Sequence, residues 1–255
     1  MAEQTLPPAG IFKAALDIRE LGRADPNNPF LQFLHHCMVN APWSCAQLFQ
    51  DLFVQFTLSG KRNGYFVEFG ATNGIDASNT LLLERQFAWS GILAEPARCW
   101  HSALSKNRSV KIDHRCVWNK SGEFLTFNET DPPDLSTIDS FTASDYHDEN
   151  RRTRQRYEVE TVSLNDLLYS HRAPRGIDYL SVDTEGSELE ILGCFDFDRY
   201  DVSIITVEHN YLSGLRDAIH ALLSSRGYER VCVQVSGWDD WYVKPQLFRQ
   251  ESGAP

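Results

Sequence analysis

Apolar and polar positions follow two different periods along this chain, and the change between them falls near residue 62. Before it, apolar residues recur at helical spacing in three stretches: 11–22, 30–40 and 44–60. In the third, Leu48, Leu52, Phe53 and Phe56 share one side, and Gly60 stops the run. Residues 1–62 are therefore expected to form a helical extension or cap beside a main domain over 63–255. Beyond 62, short apolar runs suited to buried strands alternate with amphipathic stretches. Strands are expected over 65–69, 92–94 and 110–117. A helix over 77–87 would be capped by Asp76, and another would run over about 97–105. Ser121-Gly122 makes a turn before a strand carrying Phe124, Leu125 and Phe127. The polar stretch 131–156 is long for a structureless connection and reads as a lid or loop. Order resumes with a strand and a short helix started by Ser163, a central strand over 177–183 and a helix ending near Gly193. A strand over 202–210 and a helix over 213–226 follow, and an antiparallel pair turning at Gly237 closes the chain. There is no internal repeat.

The most informative stretch is YFVEFGATNG, residues 65–74, in which an apolar run ends in an acid and enters a glycine-rich turn. The next run, GILAEP, also ends in an acid, Glu95. This is the wiring of the first half of a nucleotide-binding α/β domain: glycines let the backbone approach a ligand, and a carboxylate at the next strand end can hold ribose hydroxyls. Ligands of open α/β sheets bind beyond the carboxyl ends of the strands. Glu68, Glu95, Asp183, Glu208 and Asn210 all fall there, with Glu185 and His209 alongside.

FVEFGATNG, ILAEP, NKSGEFLTF, VETVSLNDLL, IDYLSVDTEGSELEILGCF and VSIITVEHN, in this order over residues 63–245, resemble the FkbM family of S-adenosylmethionine-dependent methyltransferases. The most specific piece is the pairing of the first glycine turn with IDYLSVDTEGSELEIL. The resemblance implies a class I methyltransferase fold, a Rossmann-like seven-stranded sheet that is mostly parallel with an antiparallel last strand. It also implies methyl transfer to a hydroxyl oxygen of a small molecule or sugar. Carried over, Glu68 and Gly70 would line the methionine end of the cofactor, Gly74 would close the turn, and Glu95 would accept from the ribose hydroxyls. Asp113, or the backbone at Cys116–Val117, falls where adenine would be contacted. The commoner family form has aspartate at the position of Glu68 and alanine-asparagine at Ala71-Thr72.

Methyl transfer from a sulfonium is an in-line displacement, so the protein chiefly positions the acceptor and removes its proton. Asp183 is the leading candidate, as base or as metal ligand; the alternative is a cap on the helix near Ser187. Glu185 would orient the acceptor or bind the cofactor's amino group, or else complement a helix dipole. Asp183, Glu208 and Asn210 offer oxygen ligands suited to magnesium, with manganese chemically acceptable, as in metal-assisted small-molecule O-methyltransferases. A metal-free site would use Asp183 or His209 as base. Arg151, Arg152, Arg154 and Arg156 are either a solvated surface or a grip for an anionic acceptor group. Phe141, Tyr146 and Tyr157 flank that cluster and would cover an acceptor. Trp238 and Trp241 are expected to pack the last hairpin.

Bulk properties narrow the partners. A formal charge of −11 over 255 residues opposes stable nucleic-acid binding and favours a small-molecule or carbohydrate acceptor. The N-terminus lacks the pattern of a secretion signal, and no run is long and apolar enough to span a bilayer. The six cysteines show no metal or redox spacing, so reduced thiols in a cytoplasmic protein are expected. The turn GATNG lacks the GxGxxG spacing of a nicotinamide dehydrogenase. The alternatives are a nucleic-acid methyltransferase and a non-catalytic protein that still binds S-adenosylmethionine.

Overall fold

The computed structural model of the protein describes residues 8–139 and 152–248. The chain divides into two compact units, one up to Pro42 and one from Trp43 onward. The first contains α1 (Pro8–Ala24) and α2 (Pro29–Asn40). Asn28 starts α2 by accepting from the amides of Phe30 and Leu31, and Pro29 occupies the first turn, where its missing N–H has no partner to lose. No described helix is long and apolar enough to cross a membrane.

The second unit opens with α3 (Gln50–Thr57) and continues through β1 (Tyr65–Phe69), α4 (Leu81–Phe87), β2 (Ser90–Ala94), α5 (His101–Asn107) and β3 (Lys111–Asp113). Four strands of a smaller sheet follow: β4 (Cys116–Trp118), β5 (Phe124–Asp131), β6 (Thr137–Ile138) and β7 (Arg152–Ser163). The chain then returns through α6 (Leu164–Ser170), β8 (Gly176–Val182), α7 (Glu188–Gly193), β9 (Asp201–Glu208) and α8 (Ser213–Ser225). It ends with β10 (Glu229–Val231), β11 (Asp239–Val243) and α9 (Pro245–Phe248).

The large sheet has seven strands in the order β10-β11-β9-β8-β1-β2-β3. All neighbours from β3 to β9 are parallel, and β11 runs antiparallel between β9 and β10. The expected architecture, with its antiparallel last strand, is therefore present. The central strands are almost wholly apolar because both faces are covered: Phe66, Val67, Ile92, Leu180, Val202 and Ile205 are inaccessible to solvent. Strand order reverses between β1 and β8, so the carboxyl ends of those two strands flank the crevice of the topological switch point. The smaller sheet, β4-β7-β5-β6, contributes Val117 and Val162 to the same core.

Three local expectations need correction. The strand expected over 110–117 is two strands in two different sheets. Asp113 causes the break: its Oδ1 accepts from the Arg115 amide at 3.0 Å, a turn that redirects the chain from β3 into β4. The helix expected from residue 77 begins only at Leu81, because the Asn79 amide donates to Glu68 and not into a helix. Asp76 caps nothing there and accepts instead from Asn73 Nδ2 at 2.6 Å. Within 131–156, Thr137–Ile138 pairs with β5, and β7 already begins at Arg152; residues 140–151, including Phe141, Tyr146 and Arg151, lie outside the described residues. Ser163 does start α6, accepting from the Asp166 amide.

α3 is tied into the second unit by Phe53, whose ring lies 4.6 Å from that of Trp241 in β11, both almost fully buried. Phe53→Ala should destabilise the protein by about 3–5 kcal/mol in a urea titration, through lost transfer energy and an uncollapsed cavity. A loss below about 1 kcal/mol would show that α3 contributes little to the core.

A carboxylate-lined site at the switch point

The glycine turn after β1 approaches the end of β8 closely. Gly70 has φ +67°, and a Cβ there would lie 2.4 Å from the Asp183 carbonyl oxygen, so no side chain fits. Gly74, at φ +78°, is similarly enclosed by Arg108 and Leu104. The turn is also strapped to β2, since the Ala71 amide donates to the Ala94 carbonyl at 3.4 Å. Positive φ recurs at non-glycine residues around this edge: Thr72, Ala77, Glu185, Asn210 and Tyr211. Left-handed backbone at such residues is uncommon and tends to collect at functional sites.

Four acids here are held by donors from the chain itself. Glu68 accepts from Ser78 Oγ, the Asn79 amide at 2.7 Å and Thr80 Oγ1. Arg108, with no side-chain exposure, lies 3.6 Å from it, pairs with Glu84 at 2.6 Å, and donates to Gly74 O, Ser78 Oγ and Thr80 Oγ1. Glu95 takes the Thr72 amide on one oxygen and the Ala97 amide on the other, each at 2.8 Å. Burial outweighs these bonds and pushes its carboxyl up to about 7. Glu188 Oε1 accepts from Thr184 N, Thr184 Oγ1 and Gly186 N, yet burial still lifts it to about 7. Asp239, the cross-strand partner of Glu208, accepts from Gln50 Nε2 at 2.7 Å and is raised by burial to about 7.

Asp183, Glu185 and Glu208 form the centre of the site. One oxygen from each lies within 4.8 Å of the others. Asp183 and Glu208 face each other in this cluster at the ends of adjacent parallel strands. Burial drives Asp183 up to about 6 and Glu208 well above the ordinary range, with Asp183, Glu185, Glu188 and Asp239 adding like charge around Glu208. Asn210 Nδ2 donates to Glu208 Oε2 at 2.9 Å and to Glu185 Oε2 at 3.4 Å. Three clustered oxygen donors of this kind are chemically suited to a hard divalent cation.

Other candidates from the sequence lie apart from this trio. His209 is turned toward β11, with Nε2 3.8 Å from Asp240 Oδ1 and Nδ1 accepting from the Tyr211 amide; burial lowers its pKa. Asp113 is held by Arg115 and His171. Burial alone would raise its carboxyl, but these hydrogen bonds overcome it and hold it near about 2. Val117 is a core residue of β4. Arg156 pairs with Asp139 at 3.0 Å, and Arg154 lies 3.9 Å from Glu129. Tyr157 donates to Glu129 Oε2 at 2.8 Å, and Trp241 is core. All six cysteines are free. Asp239, Glu188 and Glu129 escaped the sequence reading, although Glu188 sits in the same DTEGSE segment as Asp183 and Glu185.

One family model matches most of the second unit of the chain. The profile for the methyltransferase FkbM domain matches residues 68–230, more than half of the chain. Methyltransferase sdnD of Sordaria araneosa is 28% identical over 195 residues, covering 66% of this chain and 74% of that protein. Among solved structures, a precorrin-6Y C5,15-methyltransferase from Geobacter metallireducens aligns at 15% identity and a TM-score of 0.40, covering 72% of this chain and 73% of that one. A fibrillarin/Nop5p complex aligns at 11% identity and a TM-score of 0.38, covering 79% and 80%.

The buried acids set a pH dependence. A carboxyl whose folded pKa exceeds its unfolded value stabilises fully below the ordinary carboxyl range, and that contribution is lost as pH rises through the folded value. For Asp183 the folded value is about 6, and for Glu95, Glu188 and Asp239 about 7. The lowered His36, His101 and His209 act in the opposite sense, but below their ordinary value of 6.5. Scanning calorimetry of the unliganded protein should therefore show the melting temperature falling between about pH 6.5 and about pH 8. A rise over that interval would mean that these acids are ionised in the folded state at the lower pH.

Proposed function

The chain belongs to the FkbM family of S-adenosylmethionine-dependent methyltransferases, and from that premise we propose that it methylates a hydroxyl oxygen of a small molecule or sugar, assisted by a divalent cation. The observation that carries this reading is the convergence of Asp183, Glu185 and Glu208 at the carboxyl ends of β8 and β9, beside the switch point.

The residues present fit the cofactor. Gly70 lets the turn after β1 pack directly against the Asp183 carbonyl, which brings the glycine turn and the end of β8 together at the strand ends where such a cofactor would bind. Glu95 lies one strand over, at the end of β2, and its buried carboxyl would accept from the ribose hydroxyls. In this reading Glu68 shapes the turn through its bonds to Ser78, Asn79 and Thr80, Gly70 lines the methionine end, and Gly74 closes the turn. Asp113 serves the adenine side by fixing the turn between β3 and β4, beside the backbone at Val117. When bound, S-adenosylmethionine supplies the electrophilic methyl group.

The residues also fit a cation. Oxygen donors alone suit magnesium or manganese, and the like charge gathered on the trio is what such an ion would relieve. Asp183, Glu185 and Glu208 would hold it, and Asn210 would steady Glu185 and Glu208 through its amide N–H groups, adjacent to the position first expected of it as a ligand. When bound, the ion supplies Lewis acidity toward the acceptor oxygen. In a metal-free site Asp183 would instead take the acceptor proton, its pKa, raised by burial to about 6, being suited to proton transfer near neutrality. His209, engaged with Asp240 and Tyr211, supports β9 and leaves the proton to Asp183.

Two measurements test the assignment. Glu95→Ala should weaken binding of S-adenosylhomocysteine in calorimetry by about 1.5–3 kcal/mol, or roughly one to two decades in affinity, with the circular dichroism spectrum retained. Unchanged affinity would remove Glu95 from the ribose site. Asp183→Asn should slow transfer to any hydroxyl acceptor that the wild type turns over by about 10²–10⁴-fold, while homocysteine-analogue binding persists. Chelation then isolates the cation: activity lost in EDTA and restored by magnesium supports the trio, whereas full activity after equilibration with chelator leaves only the metal-free base.

A further inference from the structure

The turn that carries Glu185 is held from both sides, and one of its two holds comes from the smaller sheet. Thr184, Glu185 and Gly186 connect β8 to α7, with Glu185 at φ +58° and Gly186 at φ +123°. On the helix side, Glu188 Oε1 takes the N–H groups of Thr184 and Gly186. The turn's carbonyls face the other way. Thr137 Oγ1, in β6, lies 3.0 Å from the Glu185 carbonyl oxygen and 3.3 Å from that of Thr184, one hydroxyl shared between two acceptors. Thr137 is almost fully buried, and β6 is itself fixed by antiparallel pairing of Thr137 with Asn128 and of Ile138 with Phe127.

We infer that Thr137 is a positioning residue for Glu185: its hydroxyl holds the left-handed turn in the one conformation that brings the Glu185 carboxylate within reach of Asp183 and Glu208. A non-glycine residue at positive φ persists only where its surroundings over-determine it, and the two holds, one on the amides and one on the carbonyls, do so here. Without the hydroxyl, the Glu185 and Thr184 carbonyls lose their shared donor, and the turn is free to relax toward negative φ, which swings the Glu185 side chain away. The smaller sheet thereby becomes part of the site without presenting a side chain to substrate. The assignment of the trio as a cation site rests on the reading above, whereas the hold on the turn does not.

The test compares Thr137→Val, which keeps shape and removes the hydroxyl, with Thr137→Ser, which restores it, in the full-length chain. Amide hydrogen exchange is read on a peptide covering residues 184–188, and manganese affinity by paramagnetic resonance. Thr137→Val should accelerate exchange of that peptide and weaken manganese binding, each by about tenfold, as expected for a buried hydrogen bond left unmade. Thr137→Ser should behave as the wild type in both, and the β2 and β9 peptides should be unaffected in either variant. Wild-type exchange in Thr137→Val, or equal acceleration in Thr137→Ser, overturns the inference. If the wild type binds no manganese, the cation reading fails, and the exchange comparison still decides the role of Thr137.

Discussion

Like charge held out of water is the constraint around which the edge of the large sheet is built. Placing several carboxylates at neighbouring strand ends is unfavourable unless each finds a donor, because desolvation and mutual repulsion act in the same direction. The chain meets this in graded ways. Glu68 receives hydroxyls, an amide and a buried guanidinium; Glu95 and Glu188 receive backbone amides; Asp239 receives the amide of Gln50. Asp183 and Glu208 lie together with Glu185, and Asn210 spans Glu208 and Glu185. Charge left over at the end of that series marks where a positively charged group is most favourably received.

Much of this was readable in the chain itself, and the part that was not has physical reasons. The apolar runs of β1, β8 and β9 are long, two-sided and bounded by turn residues, so both their strand identity and the acids at their ends followed from pattern. Short-range hydrogen bonds defeated the pattern elsewhere. The Asp113 carboxylate turns the chain two residues later and splits one apparent strand, and the Glu68 carboxylate takes the amide of Asn79 ten residues and more downstream, delaying a helix. Neither effect has a periodic signature. Asp239 was invisible for another reason: its place beside Glu208 is a matter of antiparallel register between β9 and β11, which no local window contains.

The smaller sheet shows how a site can depend on elements far from its chemistry. β5 brings Glu129 under Tyr157, and β6 delivers Thr137 to the turn after β8. Its apolar residues, Phe127, Ile138 and Val159, form a core of their own with Ala97 and Cys116. That separate core allows the sheet to act as a rigid wall against the larger one, so the polar residues it presents arrive at defined positions.

Arg108 has a consequence for how the protein breathes. Its guanidinium binds the glycine turn at Gly74, the stretch before α4 at Ser78 and Thr80, α4 itself at Glu84, and the end of β1 at Glu68. A local opening of any one of these segments would strand a buried charge, so none is free to fray alone. Turn, helix and strand end must open as one cooperative unit, with a free energy nearer to that of global unfolding than to that of a surface loop. The glycine turn, by composition the most pliable stretch of the chain, is thus expected to be among its slowest to exchange.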